Sequence, residues 1–141
     1  MGKILCATRG GEASYRTQDA AIALALEHGD ELLFLYVVDI EFLSKTARAV
    51  RPDVVTTEME HMGEFLLAMA QERAESQGVP ASFILRHGDL REELKAAARL
   101  PEVTTVVLGK PAGSESAFVP ASLEAFVAEI EAETGTPVRV L

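Results

Sequence analysis

Leu32-Leu33-Phe34-Leu35-Tyr36-Val37-Val38 is an unbroken apolar run. It lacks the alternation of a strand with one wet face and the three-to-four spacing of an amphipathic helix. Such a run reads as a strand buried on both faces, the usual condition of a parallel sheet. On its N-terminal side, Gly29 stands where a left-handed helix cap is expected. Residues 13–28 before it have helical spacing, which predicts Ala20, Ala21, Leu24, Ala25 and His28 on one stripe. Earlier still, the apolar residues of 3–7 stop at Thr8-Arg9-Gly10-Gly11, the pattern of a strand running into a glycine loop.

On the C-terminal side the pattern is first irregular. Asp39-Ile40-Glu41-Phe42-Leu43 reads as the start of a short helix, which Arg51-Pro52-Asp53 breaks. Thr57 and Glu60 then have capping-box spacing, predicting a helix that opens there and ends at Gly78. Met62, Phe65, Leu66 and Met69 are predicted as its core stripe, with a methionine-rich partner surface as the competing reading. Ala81 to Arg86 is the third strand. Asp89 and Glu92 repeat the capping pattern ahead of a helix carrying Leu90, Leu94, Ala97 and Ala98. Val103 to Leu108 is the fourth strand, ending at Gly109. After a small, polar loop over 110–117 comes a helix with Leu123, Phe126, Val127 and Ile130 on one face, and Val138 to Leu141 is a short fifth strand.

Strands and helices therefore alternate throughout, with no repeat or low-complexity tract. That order predicts an α/β fold: an open five-stranded parallel sheet with right-handed crossovers and helices on both faces. Ligands of such sheets sit beyond the carboxyl ends of the strands, where strand order reverses. The glycine-marked exits after the first and fourth strands are the places to look.

The 141 residues suit one domain, and a net charge of −9 argues against a nucleic-acid backbone as partner. Apolar residues at 48% and charged residues at 25% are those of a globular chain. The single cysteine, Cys6, lies in an apolar run and reads as a buried, inert thiol. The apolar stretch at the N-terminus is too short for a signal-peptide core and no run approaches about 18 apolar residues, so a cytoplasmic protein without membrane insertion is expected.

The segment Gly109-Lys110-Pro111-Ala112-Gly113-Ser114-Glu115-Ser116 has the glycines that let backbone approach a phosphate, and Lys110 and Ser114 as donors. A surface loop built from turn residues is the competing reading. It is not a P-loop, which needs four residues between its first glycine and Gly-Lys-Ser/Thr. At the first exit Arg9 has the fork geometry to hold a phosphate or carboxylate, or it pairs with Glu12. His28, His61 and His87 fall in separate elements, so no metal site is expected. His87-Gly88-Asp89 reads as a turn and helix cap rather than a catalytic pair. No nucleophile elbow or triad is evident, and no residue is assigned a catalytic role.

Taken in order, these segments resemble the universal stress protein family over essentially the whole chain. Lys3 to Ser14 stands where that family has a strand running into an ATDGS-like segment. Val37-Val38-Asp39 matches its Val-Val-Asp-like triplet. His87-Gly88-Asp89, Glu92/Glu93 and Val106-Val107-Leu108-Gly109 follow with similar spacing, and Gly135-Thr136-Pro137-Val138-Arg139-Val140-Leu141 is similar to its tail. The resemblance implies strand order 3-2-1-4-5, as in adenine nucleotide alpha-hydrolase-like folds. It also implies a stress-associated regulatory role and a homodimer, with Val138, Arg139, Val140 and Leu141 as the candidate pairing edge.

One branch of that family binds ATP or AMP through Gly-x2-Gly-x9-Gly-Ser/Thr after the fourth strand, and another binds no nucleotide. Carried over, the candidate nucleotide or anion site is Thr8, Arg9, Gly10, Val38, Gly109, Lys110, Gly113, Ser114 and Ser122. This chain departs from the motif in several places. Gly109 and Gly113 have three residues between them instead of two, Ala121-Ser122 stands early for Gly-Ser, and Arg9 replaces the aspartate of the first loop. The expectation is a non-enzymatic regulator with a degenerate or absent ATP/AMP site. The alternatives are an anion or nucleotide site in the same crevice, with Arg9 compensating for a lost glycine, and a slow nucleotide hydrolase. A further option is docking to a larger assembly through the Met62–Met69 helix or the last strand.

Overall fold

A computed structural model describes residues 2–8, 12–38, 52–109 and 120–141. The elements are β1 (Lys3–Ala7), α1 (Glu12–His28), β2 (Glu31–Val38), α2 (Pro52–Glu75), β3 (Ala81–His87), α3 (Leu90–Ala98), β4 (Val103–Leu108), α4 (Pro120–Thr134) and β5 (Val138–Val140). The five strands form one sheet in the order β3-β2-β1-β4-β5, every pair parallel. β1 is central, with Ile4 to Ala7 in register with Leu32 to Leu35 of β2, and Cys6 with Val107 of β4.

Because side chains alternate across a strand, the apolar runs feed two cores. Ile4, Cys6, Leu32, Phe34, Tyr36 and Val38 face α1 and α2, meeting Ile22, Ala25, Leu67 and Ala70. Leu5, Leu33, Leu35, Val106 and Leu108 face α3 and α4, meeting Leu94, Ala97, Phe126 and Ile130. The expected burial of β2 on both sides is thus the central feature of the fold. Cys6 has no exposed surface, and burial pushes its thiol up to about 12.

α2 departs from the sequence expectation in its start and in its buried face. It begins at Pro52, five residues before Thr57. Proline is suited to a helix's first position, where its missing N–H has no intrahelical partner to lose. Thr57 and Glu60 therefore lie inside the helix, and Glu60 is engaged elsewhere, its Oε1 lying 3.0 Å from His87 Nε2. The short helix expected at residues 39–43 lies outside the described residues, as does the loop at 110–117.

The buried stripe of α2 is Gly63, Leu67, Ala70 and Ala74. Met62, Phe65 and Met69, expected inside, are 59%, 65% and 41% exposed. Both stripes have helical spacing, and close approach decides between them. A Cβ on Gly63 would lie 2.6 Å from Cδ1 of Tyr36 and 2.9 Å from Cδ1 of Leu85, so only the small-residue face lets the helix sit this close to the sheet. His28 is a smaller correction: it is exposed at the end of α1, with Nδ1 4.0 Å from Asp30.

The expected cap of α3 is present, the Asp89 carboxylate accepting from the Glu92 N–H at 3.1 Å. α3 and α4 are joined through Lys95, whose stem is covered while its Nζ meets Glu133 at 2.7 Å and Glu129 at 3.2 Å. α1 and α2 are joined by Arg73, which donates to both oxygens of Asp19 at 2.8 and 2.9 Å and lies over the Tyr15 ring.

Each edge strand has an outward backbone group taken by a side chain. On β3, Gln71 Nε2 donates to the Ala81 carbonyl at 2.8 Å. On β5, the Pro137 carbonyl and the Leu141 N–H bond to β4, so alternation turns the Val138 N–H to the open side, where Glu131 Oε2 accepts it at 3.1 Å. Such covering limits pairing with another chain. Leu141 lies just past the strand, its N–H donating to Leu108 O at 3.0 Å.

Candidate functional site

Strand order reverses at β1, between β2 and β4, so the carboxyl ends of β1 and β4 open on one crevice. Of the candidate residues, Thr8, Val38 and Gly109 are described there, each immediately after or at the end of a strand. Arg9, Gly10, Lys110, Gly113 and Ser114 lie outside the described residues. Ser122 falls in the first turn of α4, and its side chain lies outside them too.

Thr8 is 2% exposed, and its N–H donates to Leu35 O at 2.9 Å, carrying the β1–β2 pairing one step past the strand. Its hydroxyl accepts from Gln18 Nε2 at 2.8 Å, a buried bond between the end of β1 and the second turn of α1. Gln18 fixes the Thr8 rotamer and leaves the hydroxyl's own hydrogen for a second bond.

Gly109 serves the same junction from the other side. A Cβ built on it would overlap Oγ1 of Thr17. The glycine after β4 therefore allows α1 to close onto the sheet, whatever else it does for a ligand. Val38 has a fully buried side chain in the core, and its carbonyl accepts from Gly88 N–H at 3.0 Å. What it presents to the crevice is backbone, and one lone pair of that carbonyl holds the turn before α3. His87-Gly88-Asp89 is that turn and cap, with His87 paired to Glu60 across to α2.

Thr17 and Gln18 were absent from the residues singled out by sequence. Both are buried, at 7% and 3% exposure. The signal was present: they lie three to four residues before Ala21 and Ile22, so each puts a polar group on an apolar stripe. Among the described residues no group of three or more His, Cys, Asp or Glu is placed to hold a metal ion. No helix among them is long and apolar enough to cross a membrane.

The model of the universal stress protein family matches residues 1–139. The chain belongs to the universal stress protein family. Universal stress protein YxiE of Bacillus subtilis is 31% identical over 116 residues, covering 77% of this chain and 78% of that one. A family member from Burkholderia pseudomallei has a solved structure that superposes with TM-score 0.76 at 23% identity, covering 99% of this chain and 95% of that one. A universal stress protein solved in complex with cAMP gives TM-score 0.68 at 16% identity, with coverage of 99% and 96%. At those identities the structural likenesses establish the fold, and they agree with the expected 3-2-1-4-5 sheet.

Proposed function

We propose that this chain is a non-enzymatic, regulatory universal stress protein whose crevice no longer holds ATP in the manner of the family's nucleotide-binding branch. The observation that carries the reading is the departure of this chain from the family's phosphate-binding motif. Thr8 is bonded to Gln18, and Gly109 is closed over by Thr17, so these groups knit α1 to the sheet. The sequence has altered phosphate-binding spacing between Gly109 and Gly113, Ala121 in place of a glycine, and Arg9 in place of an acid. Glycine is the residue that lets backbone approach a phosphate most closely, and Arg9 reverses the charge that an aspartate would bring.

A second reading keeps a smaller anion, such as an adenine nucleoside monophosphate, in the same crevice. The cAMP complex of a structural relative favours it, with Arg9, Lys110, Ser114 and Ser122 as the donors. Calorimetric titration of ATP, AMP and cAMP into the wild type and Arg9→Asp separates the readings. The first predicts no saturable heat with any of them. The second predicts heat with a monophosphate that Arg9→Asp abolishes. Phosphate release from ATP above a buffer blank would overturn both in favour of a hydrolase.

The Val138–Leu141 edge is proposed as the dimer contact. It is supported by its position at the end of the sheet and by the outward groups of β5. Glu131 holds one of those groups, so pairing requires its carboxylate to move aside.

A further inference from the structure

The outer face of α2 joins two properties that normally sit apart. Met62, Phe65 and Met69 follow one another at helical spacing and are among the most exposed large apolar side chains described. Phe65 is the most exposed of them, on the side opposite the buried Leu67 and Ala70. Isolated exposed apolar residues need no explanation, but a contiguous stripe of them does. The stripe runs into a shallow hollow of about 310 Å³ between α1 and α2, lined by Tyr15, Gln18, Leu66 and Met69 among others.

The same face is acidic. Glu58 and Glu72 lie on the line of the stripe, one turn before Met62 and one turn after Met69, and Glu64 flanks Phe65; all three carboxylates are exposed. The arginine at the end of the face, Arg73, is bound to Asp19. A soft, thioether-rich stripe bordered by carboxylates is complementary to an amphipathic helix with apolar anchors and a basic border. Isologous pairing with a second copy would instead set these glutamates against the same set, in a chain of net charge −9.

We propose that the Met62–Phe65–Met69 face of α2 is a docking surface for a basic amphipathic helix of a partner protein. Apolar anchors of that helix lie along the stripe toward the Leu66 hollow, and its lysines or arginines meet Glu58, Glu64 and Glu72. The stripe itself lies on the outer face of α2, and the hollow beside it shares Gln18 with the floor of the crevice.

The test uses the full chain and a labelled synthetic peptide of about five helical turns (~18 residues), with leucine on one face and lysine on the other. Fluorescence anisotropy should show saturable binding in the micromolar range that weakens as salt is raised. Phe65→Ser with Met69→Ser should raise the Kd at least tenfold, and Glu58→Gln with Glu64→Gln and Glu72→Gln should raise it and flatten the salt dependence. Both sets are exposed, so unchanged circular dichroism melting should accompany the loss. A leucine/glutamate peptide, or a serine/lysine peptide of equal charge, should not bind.

Absence of saturation, equal binding by the serine/lysine peptide, or variants that bind like the wild type would overturn the proposal. A free chain whose self-association is dissolved by Phe65→Ser would assign the face to a second copy. Carbodiimide crosslinks from Lys45 to Glu58 or Glu64 in the free chain would assign it to the chain's own 39–51 segment. Either result also overturns the basic-partner reading.

Discussion

Gln18 donates from Nε2 to the hydroxyl of Thr8 at 2.8 Å, with both side chains buried where α1 closes over the end of β1. This bond is a polar link between the sheet's central strand and the helix beside the crevice. Buried polar groups are costly unless paired, so the two residues depend on each other.

Thr8→Val should therefore cost about 1–3 kcal/mol, since it strands the Gln18 amide without its acceptor. Gln18→Met alone should cost less, because a hydroxyl is smaller to desolvate than an amide. The double variant should be more stable than the sum of the two losses predicts, by about 0.5 kcal/mol or more. Urea unfolding of the four proteins measures this, and strict additivity would deny the coupling.

Gly63 gives a prediction of opposite sign to helix propensity. In an exposed helix interior, Gly→Ala gains about 1 kcal/mol. Here the new methyl meets the Tyr36 ring and Leu85, and overpacking of this kind costs about 1–3 kcal/mol. Gly63→Ala should lower the urea midpoint; a raised midpoint would mean that α2 can lift from the sheet without loss.

Cys6 provides a pH prediction. Its thiol is pushed up to about 12 by burial, whereas an unfolded thiol ionises near about 8.5. Between those values the unfolded chain has lost a proton that the folded chain keeps. Its contribution to stability is whole below about pH 8.5 and falls by about 1.4 kcal/mol per pH unit above it. Ellman's reagent at pH 8 should leave the native thiol unreacted and titrate it fully in denaturant. Rapid native reaction would show an open path to β1.

Glu131 covers the outward amide of Val138. If β5 is the dimer edge, Glu131→Ala should free that amide and shift sedimentation equilibrium toward dimer by several-fold in Kd. An unchanged association constant would place the dimer contact elsewhere.

The fold was legible because its strongest signals were continuous apolar strands, and burial on both faces leaves β2 no alternative reading. Caps were legible where one chemical group decides them, as at Asp89. The outward face of α2 was not, because Met62, Phe65 and Met69 share helical spacing with the true core stripe. What selects that stripe is the space under Gly63, a property of the packed sheet rather than of the helix. The place of the crevice followed from topology. Its floor did not, because Thr17 and Gln18 acquire their role only when α1 meets Thr8 and Gly109. Arg9, Gly10, Lys110, Gly113 and Ser114 are still assigned by family resemblance and spacing.

The altered crevice is tested most directly by titrating ATP into the purified chain in a calorimeter. The account predicts no saturable heat, corresponding to a Kd weaker than about 1 mM, or about −4 kcal/mol of binding. A one-to-one isotherm with a micromolar Kd would contradict it and return the crevice to the family's nucleotide-binding branch.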